Sequence, residues 1–354
     1  MSTVVVGMSG GVDSSVSAFL LKEQGYKVVG LFMKNWEEKD AQGICLSSQE
    51  YDDAKKVCDH LKIPCYTVNF VKEYWDHVFS HFLEDLKKGL TPNPDVLCNK
   101  EIKFKALLEK AKNLGAEFLA TGHYCRIQKK DVSMLLKGSD PLKDQSYFLY
   151  PLTSSILNHV LFPVGHLEKK EVRALAKKAG LSTAEKKDST GICFIGERNF
   201  KTFLSQYLPY QKGLFKTLNG DIIGEHDGAA YYTIGQRKGL KIGGKGDAWF
   251  VVGKDIDHNV VFIEQGKDHP ALYASQLIAT ELSWVSKPPS FFPFKCSAKI
   301  RYRQADQECI IEKIEHDQAF VTFVSAQRAI TPRQAIVFYE GDICLGGGFI
   351  QSSF

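Results

Sequence analysis

Thr3-Val4-Val5-Val6-Gly7-Met8-Ser9-Gly10-Gly11-Val12-Asp13-Ser14-Ser15 is the stretch that sets the fold class of this chain. The β-branched run predicts a buried strand from Thr3 to Gly7. A glycine turn follows, and then a helix from about Asp13 to Gln24. Glycines let a backbone come close to a ligand and take turns closed to other residues. Ser9, Ser14 and Ser15 add hydroxyl donors. The helix start adds free N–H groups and the positive end of a dipole. The combination reads as a cradle for a pyrophosphate. It is not a Walker A loop, because the Gly-Lys-Ser/Thr ending is missing, and Gly-x-Gly-x-x-Gly is absent too.

Working outward, strand and helix signals alternate. Val28 to Met33, Cys65 to Phe70 and Glu117 to Thr121 read as strands. Gln49 to Leu61 and about Glu101 to Asn113 read as helices. This order predicts an α/β fold with a doubly wound parallel sheet. After about Phe200 glycines become frequent and short alternating strands take over. Phe294 to Arg303, Glu308 to Glu315 and Gln318 to Val324 are the clearest. The expected organisation is a catalytic α/β domain over 1–200, a small β-rich central domain over 201–272 and a C-terminal β-barrel over 273–354. Residues of about 163–181 are expected to pack with the central domain.

Bulk properties narrow the function classes. Hydrophobic residues make up 44% and charged residues 24%, the values of a globular protein. There is no apolar run of about 18 residues, so no spanning helix is expected. Met1-Ser2-Thr3 before three valines reads as the approach to a strand, not a signal peptide. The net charge of +4 permits a nucleic-acid partner without demanding one. The nine cysteines, at 45, 58, 65, 98, 125, 193, 296, 309 and 344, are never spaced as Cys-x-x-Cys. A disulfide framework and a standard zinc or iron–sulfur site are therefore not expected, and a reducing cytoplasm suits them. His77 and His81, four apart, lack a third ligand and read as a surface pair.

Two cysteines stand in polar motifs. In Thr91-Pro92-Asn93-Pro94-Asp95-Val96-Leu97-Cys98-Asn99 the prolines stiffen a loop ahead of a helix at about Lys100. A cysteine near a helix start gains thiolate character. Asp95 is close enough to move protons for Cys98, or simply caps the helix. Cys193 lies in Asp188-Ser189-Thr190-Gly191-Ile192-Cys193-Phe194-Ile195-Gly196-Glu197-Arg198, a Gly-flanked loop. Each cysteine taken alone reads as structural rather than catalytic.

The Ser9–Ser15 loop resembles that of the PP-loop ATP pyrophosphatases, an adenine nucleotide α-hydrolase-like fold. With Asn93 to Cys98, Lys143 to Tyr147, Lys187 to Arg198 and Tyr232 to Leu240, the chain resembles the bacterial tRNA-specific 2-thiouridylase family nearly end to end. One departure is Arg333, in Thr331-Pro332-Arg333-Gln334, where the family usually has Gly.

That resemblance implies ATP held by Gly7, Met8, Ser9, Gly10, Gly11, Val12, Asp13 and Ser14, with adenine near Met33 and Gly122. It implies Mg2+ held mainly through the phosphates. Cys193 then carries a persulfide from a donor or relay protein fed by a cysteine desulfurase, and Cys98 is the nucleophile that resolves it through a transient disulfide. Asp95 becomes the candidate acid/base, and Asn93, Pro94 and Asp95 line the pocket of the wobble uridine of lysine, glutamate and glutamine tRNAs. His123, Lys143, Asp144, Gln145, Arg301, Tyr302 and Gln334 become RNA contacts. Lys299 to Arg303 would serve as a basic strand with a stacking aromatic. Lys169, Lys170, Arg173, Lys177 and Lys178 on one helix read as a solvated surface beside Glu168 and Glu171, or as phosphate contacts. Arg237, Lys238, Lys241 and Lys245 leave the same choice.

Overall fold

The structure is a computed structural model and describes residues 1–37, 48–188 and 200–354. Its N-terminal part runs β1 (Thr3–Met8), α1 (Val12–Glu23), β2 (Lys27–Lys34), α2 (Ser48–His60), β3 (Cys65–Asn69) and β4 (Phe118–Ala120), followed by β5 (Cys125–Gln128), β6 (Met134–Lys137) and β7 (Val160–Leu161). The parallel sheet has the order β3-β2-β1-β4-β7. Chain order reverses between β1 and β4, which opens a crevice beyond their carboxyl ends. The valines of β1 explain its central place. Val4 and Val6 pack with α1 and α2, and Val5 packs on the opposite face. All three are fully buried, each stabilising the fold by roughly 1.5–3 kcal/mol.

The second face of β1 is covered by helical residues 94–113. They start as a short α-turn, Pro94–Leu97, wind as a π-helix over Cys98–Leu107 and finish as Leu108–Asn113. The sequence predicts a stiff loop up to about Lys100, and the structure corrects this. Asn93 caps the helix by accepting from the Asp95 N–H at 3.2 Å, and Pro94 takes the first position, where its missing N–H costs nothing. A second correction concerns 163–181. Val164, Val172, Ala176 and Leu181 belong to the core that contains α1, so among the described residues this segment packs on the N-terminal sheet.

The central sheet is built from β8 (Gly213–Lys216), β9 (Ile222–His226), β10 (Trp249–Asp255) and β11 (Val260–Gln265), in the order β10-β11-β8-β9. The C-terminal part comprises β12 (Tyr273–Trp284), β13 (Phe294–Lys299), β14 (Gln307–Glu315), β15 (Gln318–Arg328), β16 (Ala335–Glu340) and β17 (Ile343–Ser353). The sheet runs β12-β15-β14-β13-β16-β17, and β12 pairs with β17 to close the barrel. The hairpin β5–β6 then adds to β17, with Leu136 opposite Ile343 and Leu135 opposite Cys344. A hairpin from the N-terminal part is thereby stitched to the barrel, and one apolar core runs through both.

Arg333 sits at this junction with φ +72°, the left-handed region that favours glycine. Its guanidinium donates to Asp85 Oδ2 at 2.6 Å, pairs with Glu281 and covers the Phe349 ring at 4.4 Å. The ion pairs compensate the strained backbone. We expect Arg333→Ala to lose about 3 kcal/mol, because the buried Asp85 carboxylate is left unpaired. Arg333→Gly should recover about 1 kcal/mol of that by relieving the turn. Urea unfolding of the two variants checks the order, and a glycine variant more stable than the parent protein would overturn this account.

Candidate nucleotide and sulfur-transfer site

The turn after β1 is closed by its own hydroxyls. Ser9 N–H donates to Ser14 Oγ at 3.2 Å, and Gly11 N–H donates to Ser9 Oγ at 3.3 Å. Ser14 and Ser15 hydroxyls donate to the Gly11 carbonyl at 3.1 and 2.8 Å. Gly10 takes φ +70°, and a Cβ there would lie 2.3 Å from the Glu50 carbonyl oxygen at the start of α2. Gly11 caps α1 without any side-chain bond, so the α1 N-terminus remains open to an anion. From the far side of the crevice, Gly122 just after β4 touches the start of α1. A Cβ at Gly122 would sit 2.8 Å from the Asp13 carbonyl carbon and the Ser14 nitrogen. Gly7 and Met8 lie within β1, and Met33 is a buried residue near the end of β2.

A ring of charge surrounds this loop. Lys169 Nζ donates to both oxygens of Asp13, at 2.7 and 2.8 Å, and lies 2.8 Å from Asp188. Tyr124 hydroxyl also donates to Asp13, at 2.7 Å. Lys186 Nζ donates to the Gly10 carbonyl at 2.9 Å and to Asp53 at 2.7 Å. Lys143 and Arg173 complete the shell of Asp188, at 2.6 and 2.9 Å. Burial pushes the Asp188 carboxyl up, but hydrogen bonds from Lys143 and Lys169 outweigh it and hold the group at about 2.

Cys98 is fully buried in the core shared with β1. Because the helix starts at Pro94, Cys98 lies beyond its first turn, where the dipole has largely faded. The thiolate argument from a helix start is therefore weaker than the sequence suggests. Asp95 occupies the first turn, one turn before Cys98. Cys193 and its loop lie outside the described residues, as does Cys45.

The RNA-contact candidates fall into two groups. Lys143, Asp144 and Gln145 lead from the charged ring toward the barrel. Asp144 is buried and accepts from the Gly138 and Ser146 N–H groups, both at 3.1 Å, and from Ser146 Oγ at 3.0 Å. Gln145 Oε1 accepts from Tyr124 N–H at 3.0 Å. His123 is buried, 2.8 Å from Thr121 Oγ1 and beside the Phe104 and Phe162 rings. Burial, aided by Lys103, holds it well below the usual range, so the imidazole is neutral.

The second group lies at the barrel edge. β13 ends at Lys299, so Arg301 and Tyr302 stand in a turn, not in a basic strand; Gln304 N–H donates back to the Arg301 carbonyl at 3.2 Å. Arg301 donates to the carbonyls of Ile234 and Ala329 at 3.0 and 2.9 Å and to Thr331 Oγ1 at 3.0 Å. It clamps the Tyr232–Leu240 motif of the central part onto the barrel. Gly235 in that motif would place a Cβ 2.7 Å from Ala329 Cβ. Tyr302 packs on Phe148 with ring centroids 4.5 Å apart. Gln334 donates to the Thr91 carbonyl at 2.7 Å, fastening the barrel to the strap that leads into Asn93 and Pro94.

Three family models match consecutive parts of the chain. They are described as a tRNA methyl transferase HUP domain over residues 2–197, a tRNA methyl transferase PRC-barrel domain over 201–265 and an aminomethyltransferase β-barrel domain over 274–350. The tRNA-specific 2-thiouridylase MnmA of Protochlamydia amoebophila (strain UWE25) is 64% identical over 351 residues, covering 99% of this chain and 93% of that protein. The chain belongs to the tRNA-specific 2-thiouridylase family. The same-named protein of Listeria monocytogenes serotype 4a (strain HCC23) is 59% identical over 99% of this chain and 94% of its own length. A solved 4-thiouridine synthetase–RNA complex with bound ATP aligns only loosely, at 16% identity and TM-score 0.35, over 58% of this chain and 49% of that one.

Lys186 beside the loop is absent from the sequence reading, and Lys169 stands there only as one of five helix cations, either solvated or on phosphate. Lys186 stands one residue before the matched Lys187–Arg198 motif, which was the available signal. Lys169 was disguised by the helix it starts. Lys170 and Lys177 of that helix do pair with surface glutamates, whereas Lys169 and Arg173 turn to the loop. Among the described residues no three His, Cys, Asp or Glu side chains gather as a metal site, and no helix is long and apolar enough to cross a membrane.

Proposed function

We propose that this chain is an ATP-dependent tRNA-uridine 2-sulfurtransferase acting on the wobble uridine of lysine, glutamate and glutamine tRNAs. The carrying observation is identity of 64% with a named 2-thiouridylase over 99% of the chain. Catalysis is assigned to 1–200, with RNA binding shared by 201–272 and 273–354. The uracil O2 is a poor leaving group. Its attack on the α-phosphate of ATP expels pyrophosphate and converts that oxygen into part of AMP, which departs readily. The loop Ser9–Ser14 and the α1 N-terminus suit the phosphates, and Gly122 and Met33 flank the adenine. Magnesium prefers oxygen donors and keeps few protein ligands, so phosphate oxygens would hold it, with Asp13 the carboxylate inside the loop itself.

Sulfur then comes from a persulfide on Cys193, supplied by a donor or relay protein fed by a cysteine desulfurase. Two routes fit. In one the terminal sulfur attacks C2, AMP leaves, and Cys98 attacks the Cys193 sulfur. In the other Cys98 first frees sulfide from the persulfide. Both end in 2-thiouridine and a Cys98–Cys193 disulfide, which a cytoplasmic thiol reductant reopens with two electrons. Asp95 moves protons for Cys98, and Asn93, Pro94 and Asp95 line the base pocket. The base must be splayed out of its loop to enter. His123, Lys143, Asp144, Gln145, Arg301, Tyr302 and Gln334 shape the RNA face. Several do so by fixing loops, because their polar atoms are engaged within the protein.

The test is to incubate the protein with ATP, magnesium, sulfide and unmodified tRNA and to digest the RNA for mass spectrometry. A sulfur-bearing uridine at the wobble position is expected. Formation of AMP and pyrophosphate with no sulfur in the RNA, with either sulfide or a persulfide as donor, would refute the assignment.

A further inference from the structure

Asn99 follows Cys98 directly and is 3% exposed. Its Oδ1 has no hydrogen-bond partner, while its Nδ2 donates to the Phe148 carbonyl at 3.4 Å. An unsatisfied buried acceptor is costlier than an apolar residue of the same shape. Such a group calls for an explanation, and a ligand that completes it is one. The Phe148 carbonyl also fixes which way the amide points. Turning it over would set Oδ1 against another acceptor and lose the bond. Asn99 therefore presents an acceptor, with orientation set by the backbone of the neighbouring segment. Phe148, whose carbonyl takes the Asn99 amide, also packs its ring on Tyr302, an aromatic of the kind on which an unstacked base rests.

We propose that Asn99 selects uracil over cytosine, its Oδ1 accepting a hydrogen bond from N3–H of the splayed-out base. On the pairing edge of uracil, N3–H is the donor. In cytosine the same position is an acceptor, which would face Oδ1 with like polarity. N3 is bonded to C2, the carbon to be thiolated, so a group reading N3 belongs next to the residue that handles sulfur. Asn99 takes no proton and makes no covalent bond. It is a specificity residue, and its role rests on the proposed action on a wobble uridine.

The experiment compares adenylation of two unmodified tRNAs differing only in U or C at the wobble position, using the parent protein, Asn99→Leu and Asn99→Ser. The parent should favour U by at least about 30-fold in kcat/KM, as sites built to hydrogen-bond a substrate do. Asn99→Leu should lose about 30-fold on the U substrate and shrink the U/C ratio to within about threefold. Asn99→Ser, smaller and able to accept, guards against a leucine variant that does not fold; it too should lower the ratio. The KM for ATP should not move. A slower variant with an unchanged U/C ratio would mean that Asn99 only supports the helix, and the proposal fails. A parent protein that modifies neither RNA would instead overturn the wider functional reading.

Discussion

Gly122→Ala is expected to lower ATP cleavage at least about a hundredfold while the protein still folds, since a misplacement of about 1 Å at a reacting centre costs that much. The added methyl would lie 2.8 Å from the Asp13 carbonyl carbon and the Ser14 nitrogen. Both are backbone atoms, so no side chain can swing aside. Either α1 backs away from β4, which widens the crevice and moves the open N–H groups of the α1 N-terminus, or the Gly122 segment retreats and moves the other wall. AMP release in the presence of tRNA measures the effect. Gly224→Ala is the matched control, because nothing lies within 4 Å of its added Cβ. Unchanged AMP release by Gly122→Ala would place the nucleotide elsewhere.

That sensitivity also shows why the first strand and loop are legible in sequence. The valine run, the glycine turn and the serines are local, and the structure moves their boundaries by one residue, to Thr3–Met8 and Val12–Glu23. The strap at Asn93-Pro94 is local as well, but two signals compete there. Proline after asparagine marks a stiff loop and equally a capped first helical position, and the second meaning prevails. Non-local pairing leaves no such mark. Nothing near Met134–Lys137 announces that the strand joins β17, two hundred residues onward, because that edge exists only after the barrel closes. Charged residues mislead for a related reason. Lys169 looks like its helix neighbours until Asp13, 156 positions away, takes its ammonium. Arg301 gives no sign in the sequence that carbonyls from the central part and the barrel engage it.

Cys98→Ala is expected to abolish thiolation, by at least about a thousandfold, with adenylation retained within a few-fold; a covalent nucleophile has no stand-in. The comparison matters because the same residue is fully buried in the core under β1. A packing role predicts another pattern. Losing one buried sulfur should cost on the order of 1 kcal/mol of stability and slow both half-reactions together, if either. Measuring pyrophosphate and 2-thiouridine from one reaction separates the two roles, since only a sulfur-handling residue uncouples them. Cys193→Ala should give the same uncoupling, whereas Cys344→Ala, equally buried but placed in β17, should leave the ratio of the two products unchanged. Burial of Cys98 has a chemical consequence too. A thiol shielded from water is also shielded from oxidants, which suits the role of resolving a persulfide proposed for it. A Cys98→Ala protein that makes 2-thiouridine at the parent rate would reduce this cysteine to a filler of space and remove it from the reaction.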